Sequence, residues 1–219
     1  MIPVSAPSRV RAQLAAAPDG PVPLVHRGPD AVYVDVAGRC VGVVGRRATA
    51  VPCALRADLD RLPDVGRADL IGGVLHLDGV PLRVGRVVDV AVPRLATGVT
   101  RPAPPPGDVG AMVGRGDGLT PYDDDVLCGW LATHRAAGLA TPEVEAAVRA
   151  HLHRTTLLSA TLLDCAMHGE VVPEFAAWLS APDDPGRTAL LAAVGHTSGR
   201  GMLAGARVAL AHLTCGAAA

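Results

Sequence analysis

The chain has 219 residues, 49% of them hydrophobic but only 2% aromatic, with 19% charged side chains and a formal net charge of −1. That length suffices for one large domain or two small ones with a real core. The near-balance of charge excludes both a nucleic-acid binder held by bulk charge and an acidic disordered chain.

The first hundred residues alternate short β-prone runs with turn residues. A helix is expected over 8–17, then strands over 22–26, 31–36, 40–44, 74–77, 81–84 and 87–92. The stretch VLHLDGVPLRV reads as a hairpin around Asp78-Gly79, a strong two-residue turn signal. Residues 101–110, RPAPPPGDVG, form a stiff connector, because four prolines remove amide donors and fix φ. Beyond it the spacing is helical, over 123–137, 142–168, 171–179, 187–194 and 202–214. Thr141 before Pro142 suits a capping hydroxyl with proline in the first turn, and Gly138, Gly169 and Gly195 sit where helices should end. The expected class is α+β: a β-rich half over 1–100, a small antiparallel sheet or barrel, then the connector and a helical half over 111–219.

No run approaches the roughly 18 apolar residues of a membrane span, and the first twenty residues lack the basic head and apolar core of a signal peptide. Cys40, Cys53, Cys128, Cys165 and Cys215 are odd in number and form no CxxC pair. Buried free thiols in a reducing cytoplasm are therefore expected, with no membrane and no nucleic-acid partner. All twenty cationic side chains are arginine, which excludes Schiff-base lysine chemistry and the lysine of a Walker-type phosphate loop.

The most unusual stretch is GRGDGLTPYDDD, residues 114–125. Gly114, Gly116 and Gly118 permit close backbone approach to a ligand, and the loop opens a helix whose free amides attract an anion. Arg115 adds a fork of donors for a phosphate or carboxylate, and Thr120 a hydroxyl. Consecutive helical residues point about 100° apart, so Asp123, Asp124 and Asp125 cannot all hold one ion. Asp124 and Asp125 are candidate Mg²⁺ ligands, the alternative being that the run complements the helix dipole.

A second loop, VGHTSGRG over 194–201, has the same logic. Gly195, Thr197, Ser198, Gly199 and Arg200 are candidate anion contacts, and His196 a candidate proton donor. The competing reading is a helix–helix turn capped by Thr197 or Ser198. Thr155 and Thr156, with Ser159 one turn on, lie in the long helical stretch. Either they bond the carbonyl one turn back, or the helix breaks there and they face the two loops. Asp164, Cys165 and His168 read as a helix end, and His26, His76, His134 and His212 as structural. His151 and His153, two apart, lack the spacing of paired metal ligands on a helix face.

Three segments in order, GRGDGLTPYDDDVLCG (114–129), RTTLLSATLLDCAMHG (154–169) and GHTSGRGMLAG (195–205), resemble a bacterial family of undefined function. That family contains the AllH-type subunit of oxamate carbamoyltransferase. Its pattern pairs a GLTPxGDD segment with TTxxS and GHSSG-type segments. Here Asp123 stands where the family has Gly, and Thr197 where Ser is common. The resemblance implies a carbamoyl transfer in which oxalurate and phosphate give oxamate and carbamoyl phosphate, alongside two unrelated subunits. On that reading Arg115 and Arg200 hold the small anionic metabolite, Asp124 and Asp125 position Mg²⁺ or an amide nitrogen, and His196 moves a proton. A non-catalytic phosphate-, nucleotide- or metabolite-binding module, or a scaffold whose glycines serve packing, is the alternative.

Overall fold

The computed structural model describes residues 1–215, with side chains through Leu213. Two compact units divide the chain, Met1–Asp89 and Val90 onward.

In the first unit, nine strands form one curled sheet. They are β1 (Ile2–Pro7), β2 (Gly20–Val22), β3 (Leu24–Arg27), β4 (Ala31–Val36), β5 (Arg39–Val44), β6 (Ala54–Ala57), β7 (Ala68–Ile71), β8 (Val74–Leu77) and β9 (Val80–Val88). Their order is β2-β7-β8-β9-β1-β6-β5-β4-β3. β2 and β3 lie at opposite ends of that order, yet only Pro23 separates them in sequence, so the sheet must bend round almost to closure. The expected sheet is therefore present, but it is mixed. β1 pairs in parallel with β9 and β5 with β6, while the other pairs are antiparallel. Inside the curl pack Val34, Val43, Leu55, Leu70, Leu75 and Leu82, and α1 (Ser8–Ala16) adds Val10 and Leu14. Each fully buried leucine contributes about 2 kcal/mol of transfer free energy.

The hairpin turn is where the sequence puts it. Asp78 and Gly79 both have positive φ, 46° and 78°, and Leu77 pairs with Val80 across them. β1, β6 and β7 lie outside the expected strands. Pro3 and Pro7 interrupt the first, and the other two are four-residue runs, ALRA and ADLI, that mix alanine with a charged residue, so β propensity alone understates them.

In the second unit the elements are α2 (Val109–Met112), α3 (Tyr122–Ala136), α4 (Pro142–His151), a 3-10 turn (Leu152–Arg154), α5 (Leu157–Met167), α6 (Pro173–Leu179), α7 (Pro185–Ala192) and α8 (Ser198–Cys215). α3 is the axis: Leu127, Trp130, Leu131, Thr133 and His134 are all buried. α8 lies against it with almost no side chain between, since a Cβ on Gly205 would strike the Val126 carbonyl and one on Gly129 the Met202 carbonyl. The proline-rich stretch docks on α3 through polar groups. The Ala103 amide donates to His134 Nε2 at 2.9 Å, and Trp130 Nε1 donates to the Pro104 carbonyl at 3.2 Å. His134 is thus neutral with its proton on Nδ1, and burial pushes its pKa down.

Two helix expectations need correction. The helix over 142–168 is broken at Thr155–Thr156 into α4 and α5. Thr141 does occupy the N-cap position, but its hydroxyl donates to the Glu145 carboxylate at 3.2 Å instead of accepting a backbone N–H. Cys40, Cys53, Cys128 and Cys165 are buried free thiols, and the side chain of Cys215 lies outside the described residues. Among the described residues no helix is long and apolar enough to cross a membrane.

Candidate functional site

The loop over 114–120 folds back onto the first turn of α3. Gly114, at φ 80°, lies so close over the Arg154 carbonyl that no Cβ fits, and its amide donates to Asp124 Oδ1 at 2.8 Å. At Gly116 a Cβ would come 2.6 Å from the Tyr122 amide. Arg115 forms an ion pair through Nε with Asp123 Oδ2, while the Asp123 amide donates to the Arg115 carbonyl at 3.2 Å. The tip is open: Asp117, Gly118 and Leu119 are exposed, and nothing approaches a Cβ position on Gly118.

The three consecutive aspartates serve three different partners, as their 100° offsets demand. Asp123 turns to Arg115. Asp124 is fully buried and accepts from three donors: the Gly114 amide on Oδ1, and the Thr155 and Ser159 hydroxyls on Oδ2, the latter at 2.7 Å. Asp125 faces α8. A Cβ on Gly201 would lie 2.7 Å from Asp125 Cβ, so only glycine lets α8 pass there. Asp125 Oδ2 is buried without a hydrogen-bond partner. Burial pushes this carboxyl up to about 7; hydrogen bonding from Ser198 and Thr120 pulls the other way, and the neighbouring Asp124 charge adds to the rise.

The helix break at Thr155–Thr156 makes the arrangement possible. Thr156 is the N-cap of α5: its Oγ1 accepts the Ser159 amide at 3.0 Å and donates to the Leu119 carbonyl in the glycine loop. Thr155 meanwhile reaches Asp124. The helix breaks as the second reading expects, but the hydroxyls bond the glycine loop and Asp124 and not the second loop. Ser159 completes the set, and its signal was the T-x-x-S spacing of an N-cap and its third helical residue.

The second loop contributes less than its composition suggests. α8 starts at Ser198, so Gly199 and Arg200 sit in a helical turn. The Gly201 amide donates to the Thr197 carbonyl at 3.0 Å, and Gly199 packs tightly under the Leu191 carbonyl. Ser198 Oγ lies 2.8 Å from Thr120 Oγ1, which joins the two loops beside Asp125. Gly195, at φ 59°, turns the chain beneath Ser198. His196 and Arg200 are exposed. Asp164, Cys165 and His168 form a helix end, with His168 Nδ1 2.7 Å from the Asp164 carbonyl.

A hollow of about 790 Å³ in this unit is lined by Asp108, Gly110, Glu143, His151 and Arg154, and the Arg154 guanidinium donates to the Gly110 carbonyl across it. None of the candidate residues of the glycine loop or the second loop lines that hollow. Among the described residues no group of three or more His, Cys, Asp or Glu side chains is placed to hold a metal ion.

The hydroxyls and carboxylates of the Asp123–Asp125 cluster all fall in one matched segment. Residues 112–210 match the family described as oxamate carbamoyltransferase subunit AllH. This segment is similar to the AllH family, and the match spans just under half of the chain. It runs from the last residue of α2 into α8, so it contains all three motifs, while the β-rich unit lies outside it. No curated protein and no solved structure matches the chain. The AllH segment thus carries its polar residues as one interlocked cluster around Asp124 and Asp125, with Arg115, His196 and Arg200 exposed.

Proposed function

We propose that the chain is a subunit of an oxamate carbamoyltransferase-type enzyme whose small-anion site is the cluster formed by the glycine loop, the Thr155–Ser159 turn and Ser198. The observation that carries the reading is the buried, unpartnered Oδ2 of Asp125 beside the Thr120 and Ser198 hydroxyls, inside the segment that matches AllH. A carboxyl held near neutrality can both take and give a proton at physiological pH.

In the reaction, a phosphate oxygen attacks the terminal carbamoyl carbon of oxalurate. The bond from that carbon to the internal nitrogen breaks, and the phosphate proton passes to the departing nitrogen. Carbamoyl phosphate and oxamate result, with atoms and charge balanced. Asp125 carries that proton, a role the sequence reading gave to His196. Asp124 acts as a positioning residue, because all three of its contacts fix loops to one another. Arg115 and Arg200, both exposed, would neutralise the phosphate, Arg115 with the guanidinium nitrogens its Nε pairing to Asp123 leaves over. Were Mg²⁺ bound, Asp125, whose Oδ2 has no hydrogen-bond partner, would be the carboxylate to hold it and would then help neutralise the phosphate instead of carrying the proton.

A second reading, a non-catalytic metabolite-binding or scaffold subunit, draws on the internal use of Asp124 and Arg115 and on glycines packed against backbone. Thermal unfolding against carbamoyl phosphate, phosphate, oxamate and a nucleotide panel, each with and without Mg²⁺, separates the two. A ligand at about 100 times its dissociation constant adds roughly 2.7 kcal/mol. A shift selective for carbamoyl phosphate or oxamate supports the transferase subunit. Selectivity for a nucleotide moves the function elsewhere, and silence across the panel favours the scaffold.

A further inference from the structure

The β-rich unit holds a second cavity of about 790 Å³, and its wall includes Ser5, Arg46, Arg56, Asp58 and Arg86. How the arginines arrive there follows from strand register. Ser5 of β1 pairs with Arg56 of β6 on one side and with Arg86 of β9 on the other. Directly paired residues share a face, and neighbouring strands lie about 5 Å apart, so Arg56 and Arg86 flank Ser5 across about 10 Å of sheet.

Arg86 reaches that face only through an irregularity. Leu82 and Val84 point into the core, and strict alternation would send residue 86 inward as well. The pairing shifts between Val4 and Ser5, where Gly85 is an extra residue in β9, and the shift turns Arg86 outward.

The charge around this cavity is uneven. Arg46 is held by Asp58 at 2.6 Å and Asp60 at 3.2 Å. Among the described residues no carboxylate pairs with Arg56 or Arg86, although Asp58 shares the wall with them. Two uncompensated guanidinium groups facing each other over a serine hydroxyl repel, unless an anion with several acceptor oxygens bridges them.

We propose that this outer face of the β-rich unit is a binding site for a phosphate-bearing small molecule, bridged by Arg56 and Arg86 over Ser5 and bounded by Arg46. It is independent of the cluster around Asp124 and lies outside the AllH match. Phenylglyoxal modification of the full chain, mapped by peptide mass, reads the two arginines individually. Pyrophosphate at millimolar concentration should slow modification of both Arg56 and Arg86 at least threefold, relative to sodium chloride of equal ionic strength. Arms with inorganic phosphate and with glycerol 3-phosphate distinguish free phosphate from a phosphate monoester. In R56Q, a change at an exposed position, protection of Arg86 should fall to the chloride level. Unchanged modification rates, equal slowing by chloride, or full protection of Arg86 in R56Q would each overturn the proposal.

Discussion

The amide of Gly114 donates to Oδ1 of Asp124 at 2.8 Å, fastening the start of the glycine loop to the helix that the same loop introduces. The opposite oxygen of that carboxylate binds hydroxyls from a different helix start, so one buried side chain holds two segments some thirty residues apart in sequence. Replacing Asp124 by alanine strands three donors in a buried space. Each such loss costs about 1–3 kcal/mol, so D124A should lower the unfolding free energy by about 3 kcal/mol or more in urea. D124N keeps acceptor capacity on one oxygen and should lose visibly less.

Asp125 sets a pH dependence. Its folded-state pKa stands at about 7, raised above the ordinary carboxylate value by burial, so between that value and 7 the folded chain binds a proton that the unfolded chain has released. This contribution is fully present below about pH 4 and is lost as pH rises through 7. Urea midpoints should therefore fall between pH 5 and pH 8 in the wild type, and D125N should remove that part of the decline. A wild-type midpoint rising over the same interval, with D125N rising in parallel, would contradict the burial of this group.

Thr156 clamps the loop as well as capping a helix. T156A should cost about 1 kcal/mol from the lost cap alone. Because the same hydroxyl holds the Leu119 carbonyl, the variant should also be cut faster by trypsin after Arg115 than the wild type under folded conditions. An unchanged cleavage rate would mean that the loop is held without Thr156.

Glycines in this unit fall into two classes that mutation can separate. At Gly205 a Cβ meets the Val126 backbone, which cannot move aside, so G205A should cost about 3 kcal/mol. At Gly118 there is open space and only the φ of 90° opposes a side chain, so G118A should cost nearer 1 kcal/mol. Thermal unfolding of the two variants orders them directly.

Much of this was legible in the sequence. The Asp78-Gly79 turn, the β-then-helical order and the glycine stops at Gly138 and Gly169 follow from local chemistry, and local chemistry sufficed. β1 was hidden because its prolines argue against a strand, and its partners, β6 and β9, lie about fifty and eighty residues away. The break at Thr155–Thr156 carries neither glycine nor proline. The N-capping Thr156 supplies a local start for α5, and the demand of Asp124 for hydroxyl donors adds the tertiary reason for the break. The sequence also could not rank Asp124 against Asp125. Their difference arises from which neighbouring helix each one meets, α5 with its hydroxyls or α8 with its glycines.

The proposed anion site stands or falls on two exposed arginines, Arg115 and Arg200. Calorimetric titration of carbamoyl phosphate into the wild-type chain, R115A and R200A tests it directly. Affinity should weaken about tenfold in at least one variant; R200A should unfold at the wild-type urea midpoint, whereas R115A also strands the buried Asp123 carboxylate and should unfold at a lower one. If both variants bind as tightly as the wild type, the cluster around Asp124 and Asp125 is a packing device, and any ligand of this segment binds elsewhere.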